Sequence, residues 1–206
     1  MLNLREFSPC LLCAMPQLAD PNFSRAVILL AEFRAEGAFG VVVNRPLDLT
    51  FDAVQSSEVR IAEVYRTERL WFGGPVNNQQ ILLLTVLKEG SVVEMPAASH
   101  KEELESKEAK RSVLFPLGQR LGLANSKAVI AGHECPSATD RFKLLVGYAA
   151  WASQQLDQEL TAGAWLVAPL DRELVFSDPA AMWERAIRAI GVNPAMLQVP
   201  PSAARH

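Results

Sequence analysis

The run Gly37-Ala38-Phe39-Gly40-Val41-Val42-Val43-Asn44-Arg45-Pro46 constrains the fold more than any other ten residues of this chain. Its glycines permit a tight turn and close backbone approach. The three valines that follow are stiff at χ1 and suit a buried, pleated strand. Proline has no N–H to donate, so pairing is expected to end at Pro46. The pattern therefore carries one amide, Asn44, and one guanidinium, Arg45, to the edge of a buried sheet. Two further blocks, Phe72-Gly73-Gly74-Pro75-Val76 and Gly147-Tyr148-Ala149-Ala150-Trp151, also set glycines beside large apolar side chains. Together these blocks bear on the fold more than on any reaction.

The rest of the sequence supplies the partners. Residues 11–15, 26–31 and 38–44 read as successive antiparallel strands, joined through Asp20-Pro21-Asn22 and Glu36-Gly37. Thr50 is placed to cap a short helix reaching about residue 57, with Asp52 in its first turn. Residues 70–72, 81–87, 91–94, 141–148, 165–167 and 173–176 read as further strands. A helix is expected over 153–160, with Leu156 and Leu160 on one face. The last helix has the clearest signals: Ser177 or Asp178 as cap, Pro179 in the first turn and Gly191 as stop. Its apolar stripe is Trp183, Ala186, Ile187 and Ile190. In 100–111, four acidic and four basic side chains cancel, which describes a solvated helix or loop and not a binding tail.

Size and charge bound the function classes. A chain of 206 residues suits one core better than two, so residues 1–206 are read as a single domain. Half the residues are apolar and 21% are charged, a folded composition. The net charge of −3 leaves no basic excess for a phosphate backbone. The one basic helix face, Arg185 and Arg188, belongs to a helix whose other face is core. Direct DNA binding is therefore not expected. No basic, apolar leader opens the chain and no apolar run is membrane-length, so neither secretion nor a membrane span is expected. Three cysteines, an odd number, suit a reducing cytoplasm. The sequence sets no oligomeric state.

Few residues offer chemistry. Asn44 and Arg45 suit a carboxylate or phosphate, because the guanidinium is a rigid fork that the amide can orient. The competing role is internal, with Arg45 paired to a carboxylate such as Asp20 and Asn44 closing a turn. Gly73-Gly74 could aim backbone N–H groups at a phosphate, yet the lysine, hydroxyl and helix of a P-loop are missing; a tight turn packing two strands and Trp71 fits better. Cys10-x-x-Cys13 with His133-x-Cys135 makes four zinc-type ligands. Residues three apart on a strand face opposite ways, however, so no metal site is expected. His100 and His206 lie in a charged segment and a tail, leaving His133 as the one candidate base, with no serine elbow to serve it. Acids such as Asp20 and Glu159 are not brought together by the sequence alone. Tyr148, Trp151, Trp165 and Trp183 read as core or interface aromatics and not as a stacking platform for bases. No catalytic residue and no cofactor are expected, and Asp20, Arg25, Asn44, Arg45, Gly73 and Gly74 stand as ligand-binding candidates.

Several of these blocks carry a family resemblance. Leu11-Leu12-Cys13-Ala14-Met15-Pro16, then Leu18-Ala19-Asp20-Pro21-Asn22-Phe23-Ser24-Arg25, closely resembles the YqgE/AlgH family. So do Gly40 to Leu47, Gly73-Gly74-Pro75-Val76, Gly147 to Trp151 with Gln155-Leu156, Trp165 to Pro169, and the helix bearing Trp183. The resemblance covers nearly the whole chain except 100–111. It implies an α+β domain, a flattened, mostly antiparallel, β-barrel-like sheet flanked by helices, in a bacterial cytosol. Members are often labelled transcriptional regulators through a link to alginate production, and the resemblance implies no settled reaction. The chain departs from the pattern where relatives carry Asp-Arg and then histidine, with Gln79-Gln80 and Thr85 here, and where they carry glycines, with Ala150 and Gln154 here. The expectation is a cytosolic regulator acting through a protein partner or a small anionic ligand. The alternative is a small hydrolase taking a phosphorylated or carboxylated metabolite at the Asn44-Arg45 tip.

Overall fold

The computed structural model describes residues 9–54, 67–87, 114–125 and 141–197. The strand expected over 91–94, the charged segment 100–111, and His100, His133, Cys135 and His206 lie outside those residues. Ten strands form the frame: β1 Cys10–Ala14, β2 Val27–Arg34, β3 Gly37–Val42, β4 Pro46–Thr50, β5 Arg69–Phe72, β6 Val76–Val86, β7 Leu114–Pro116, β8 Leu121–Asn125, β9 Phe142–Ala152 and β10 Trp165–Pro169. Three helices accompany them, α1 Gln155–Thr161, α2 Arg172–Val175 and α3 Pro179–Ala189. Short 3-10 turns occupy Phe51–Val54 and Pro194–Leu197.

The hydrogen-bonded order is β10-β1-β2-β3-β9-β6-β8-β7, with β4 and β5 attached beside it. Every pairing is antiparallel except β5 with β9. The path ends on β10 at one side and β7 at the other, so among the described residues the sheet stays open. The long strand β9 is its spine. Residues 144–146 pair with β5, residues 149–152 pair with β3, and β6 runs along the opposite edge.

Alternation sorts the apolar residues into two layers. Leu11, Cys13, Leu29, Val41 and Leu145 face α3, while Leu12, Ile28, Leu30, Val42 and Trp151 face α1. Cys10 and Cys13 fall on opposite sides and both are buried. Burial pushes each thiol up to about 12, with Cys10 adding a smaller repulsion at Cys13. The helix α3 begins as its sequence predicts: Asp178 accepts from the Ala180 N–H and Pro179 opens the first turn. Its stripe of Met182, Trp183, Ala186 and Ile187 is buried, and the Trp183 indole donates to Ala14 O at 2.8 Å. The helix α1 is fastened by Glu159, whose Oε2 accepts from the indoles of Trp151 at 2.9 Å and Trp165 at 2.7 Å.

Three expectations are corrected. Pro46 does not end pairing; it opens β4 opposite Trp71, where the first residue of an edge strand needs no N–H. Thr50 closes β4 and a single 3-10 turn follows, with the remainder of the expected helix outside the described residues. Residues 173–176 are not a strand, because Asp171 accepts from the N–H groups of Glu173 and Leu174 and caps the single turn α2. The hairpin β7–β8 was not expected, its residues showing too little alternation to stand out.

The glycine blocks meet at one joint. Gly73 donates to Val146 O at 2.8 Å and accepts from the Val42 N–H at 2.7 Å, tying β9 and β3 to the end of β5. A Cβ on Gly74, which has φ +154°, would stand 2.1 Å from the Tyr148 carbonyl carbon. One on Gly147, at φ +69°, would stand 2.4 Å from Gly74 O. The backbones touch, so no side chain fits between them. Among the described residues no helix is long and apolar enough to cross a membrane.

Two substitutions test this account. Gly74→Ala adds overpacking to backbone strain and should lower stability by about 2–5 kcal/mol. Gln154, which precedes α1 at φ 64° with no side-chain cap bond, holds a left-handed conformation that a glycine accepts without strain. Gln154→Gly should raise stability by about 0.5–1 kcal/mol, a left-handed penalty partly offset by chain entropy. Urea midpoints of the two variants, moving in opposite directions, check both.

Candidate functional site: a buried lysine at the strand joint

The tip after β3 is a clamp. Asn44 Oδ1 accepts from the Val27 N–H at 2.9 Å, and its Nδ2 donates to Arg25 O at 2.9 Å. Arg45 donates from Nη1 to Pro21 O at 3.2 Å and from Nη2 to Ser24 O at 2.7 Å. Its guanidinium also lies 5.9 Å from the Phe72 ring centre. Burial lowers the Arg45 pKa, and the charge of Asp20 opposes that shift. Asp20 itself closes a local turn, accepting from the Asn22 N–H at 2.8 Å. Arg25, at φ 53°, places its guanidinium 5.3 Å from the Trp183 ring. Asp20, Arg25, Asn44 and Arg45 thus meet in one loop-to-strand latch. Gly73 and Gly74 stand behind it, where the Phe72 N–H donates to Arg45 O at 2.8 Å. The Gly73 N–H is spent on Val146 O, and Arg45 serves carbonyl oxygens.

The same joint holds a residue that the sequence reading did not select. Lys143 is 4% exposed and sits early in β9. Its Nζ donates to Val43 O at 2.5 Å and lies 3.7 Å from the centre of the Trp71 ring, with Phe176 at 5.9 Å. An ammonium carries three donors, and Val43 O is the single hydrogen-bond acceptor that Lys143 meets among the described residues. Burial lowers its pKa from 10.5 to about 7, so near neutral pH the side chain divides between amine and ammonium. The available signal was a lone charge inside the apolar run Phe142-Lys143-Leu144-Leu145-Val146.

A set of arginines sits at the same end of β9. Arg141 Nη1 meets Glu173 Oε2 at 2.5 Å, and Arg172 Nη2 meets Glu173 Oε1 at 3.1 Å. The hydrogen bond from Arg141, then that from Arg172, holds the exposed Glu173 carboxyl below its ordinary range. Glu173 is three residues from Phe176, and Arg141 two from Lys143. The turn between β7 and β8 supplies the third arginine. Gly118, Gln119 and Arg120 all have positive φ, 80°, 47° and 62°. Gln119 fixes that turn by donating to Leu170 O at 2.5 Å and accepting from the Arg172 N–H at 2.9 Å, while Arg120 Nε donates to Leu87 O at 3.1 Å. Among the described residues, no group of three His, Cys, Asp or Glu is placed to hold a metal ion.

An open, mostly antiparallel sheet flanked by helices, with its strands crossing at a glycine joint, defines an α+β class. A family profile described as AlgH-like matches residues 11–195, and the chain belongs to that family. It is 33% identical over 197 residues to a UPF0301 protein of Myxococcus xanthus strain DK1622, covering 94% of this chain and 96% of that one. A UPF0301 protein of Photobacterium profundum is 30% identical over 189 residues, covering 91% of this chain and 94% of the relative. The solution structure of the AlgH protein from Pseudomonas aeruginosa superposes with a TM-score of 0.64 at 28% identity, covering 95% of this chain and 94% of that one. The crystal structure of protein DIP2367 from Corynebacterium diphtheriae shares the fold, with a TM-score of 0.59 and 24% identity over 91% of this chain and 94% of that one.

Lys143 makes stability depend on pH with a defined sign. Above pH 7 the folded amine sheds its proton while the unfolded chain, titrating near 10.5, keeps it. The unfolded state then binds more protons, so stability rises with pH, by about 1–2 kcal/mol between pH 7 and 8.5. Above about pH 9 the buried thiols act oppositely, since unfolding lets them ionise. In Lys143→Met the rise below pH 8.5 should vanish, with the variant more stable than the parent at pH 7. Urea midpoints of both proteins, measured from pH 6.5 to 8.5, check this by difference.

Proposed function

We propose that this protein is a cytosolic regulator that works by binding, and that its input is a small anion taken beside Lys143 at the Arg120–Arg141–Arg172 rim. The observation that carries this reading is the grip on Glu173. Arg141, just before β9, and Arg172, beside Glu173 on α2, each hold one oxygen of a solvent-exposed carboxylate, an arrangement that suits a ligand carboxylate or phosphate equally well. The grip lies where β9, α2 and the β7–β8 turn meet, so an anion replacing Glu173 would change how those elements are held. The engaged nitrogens of Arg45 favour this reading over hydrolysis at the Asn44-Arg45 tip, where the guanidinium would have to leave two carbonyl partners.

A thermal-shift series with small carboxylates and phosphate esters at low salt tests it. A ligand at one hundred times its Kd should add about 2.7 kcal/mol of stability. That gain should fall by about half or more in Arg141→Gln/Arg172→Gln and persist in Arg45→Ala. A gain lost only in Arg45→Ala would move the anion to the β3 tip. No gain from any anion would overturn the reading.

A further inference from the structure

The amine of Lys143 is placed for more than internal packing. It reaches the joint from β9, lies over Trp71 of β5 and near Phe176 of the α2–α3 connection, and among the described residues has one hydrogen-bond acceptor, Val43 O. Its remaining N–H groups face aromatic rings, the Trp71 ring at 3.7 Å and Phe176 at 5.9 Å. Nothing about the apolar surroundings requires a lysine, since methionine fills a similar volume without burying a charge. Both aromatic covers are half-buried and not sealed in the core. The arginine rim stands at the same end of β9, close to Phe176 along the chain.

From this arrangement we infer that Lys143 captures a small oxo-acid covalently and reversibly, its Nζ forming an imine with the ligand's carbonyl carbon while Arg141 and Arg172 hold the ligand's carboxylate. The inference rests on the anion reading above and names the substrate class of that same site. The step balances without a further reactant. The Nζ lone pair attacks the carbonyl carbon, and the carbonyl π pair moves to oxygen. The carbinolamine then loses that oxygen as water, which carries away both amine protons and leaves a C=N bond. Burial supports the step by keeping a share of the side chain as free amine near neutral pH. Val43 O orients the nitrogen through one N–H, and Trp71 supports it from below. Phe176 is the cover that must turn aside. Among the described residues, charged groups on the surrounding elements are Arg45 beyond Val43, Arg69 on β5, Arg141 just before β9, Arg172 with Glu173 on α2, and Asp178 on the α2–α3 connection. Burial is the cause of the lowered Lys143 pKa.

The test uses the full chain with pyruvate as probe and borohydride to reduce any imine, read by intact mass and peptide mapping. One reduced pyruvyl group should map to Lys143 in preference to Lys88, Lys101, Lys107, Lys110 and Lys127, which serve as internal controls. The rate of capture should rise with pH and level off above about 8, following an amine that titrates near 7. Lys143→Met should remove the adduct, and Phe176→Ala should speed its formation several-fold. Arg141→Gln/Arg172→Gln should raise the pyruvate needed for half-capture by about tenfold, the loss of one charged hydrogen-bond pair. An adduct spread evenly over all lysines, or none on Lys143 in both the parent and Phe176→Ala, overturns the inference. A thermal shift by pyruvate in the parent protein, with no adduct on Lys143 there or in Phe176→Ala, overturns covalent capture and leaves the anion-binding reading standing. Loss of both readouts removes both.

Discussion

Backbone contact between Gly73-Gly74 and Gly147-Tyr148 is the constraint on which the rest of the molecule depends. It lets β9 serve β5 over residues 144–146 and β3 over residues 149–152, so one strand runs through both parts of the sheet. A Cβ at Gly74 would stand 2.1 Å from the Tyr148 carbonyl carbon, closer than any packed side chain can sit. Because the strands cross there, Val43 O, the Trp71 ring and Lys143 Nζ converge on one spot. The lysine's environment is therefore a consequence of glycine packing several residues away.

The tip that marks the family does structural work at that same joint. Asn44 and Arg45 tie the 20–27 loop to the end of β3 through four hydrogen bonds, each to a backbone group. Such bonds rigidify the place where Val43 presents its carbonyl oxygen to Lys143. Glu159 does similar work across the other layer, where one carboxylate oxygen gathers two indole N–H groups and seats α1. Polar side chains here mostly position backbone and aromatic groups, whereas at the arginine rim two guanidinium groups hold the two oxygens of one exposed carboxylate.

Much of the strand and helix order was legible in the sequence, for identifiable reasons. The first three strands carry short apolar runs separated by turn residues, and α3 carries a cap, a first-turn proline, an apolar stripe and a terminal glycine. What failed was local competition. Residues 173–176 are apolar enough for a strand, but Asp171 supplies two cap bonds and turns them into α2. Pro46 has no N–H, yet an edge strand's first residue does not need one. The departure from the family pattern at Gln154 was visible as a missing glycine; its meaning, a left-handed residue before α1, was not.

By itself the sequence determined the tight turn at Gly73-Gly74, the opposite-facing cysteines, the final helix and the family, because each of these follows from nearest-neighbour chemistry and period. It also brought Asn44 and Arg45 into view without saying what they hold. Tertiary structure alone decided that Arg45 spends its terminal nitrogens on Pro21 and Ser24, and that Lys143 lies over the Trp71 ring and donates to Val43 O. The reason is physical. Burial and donor satisfaction are properties of groups brought together from distant parts of the chain: Val43 and Lys143 are 100 residues apart. No local pattern encodes the desolvation that sets a lysine's charge.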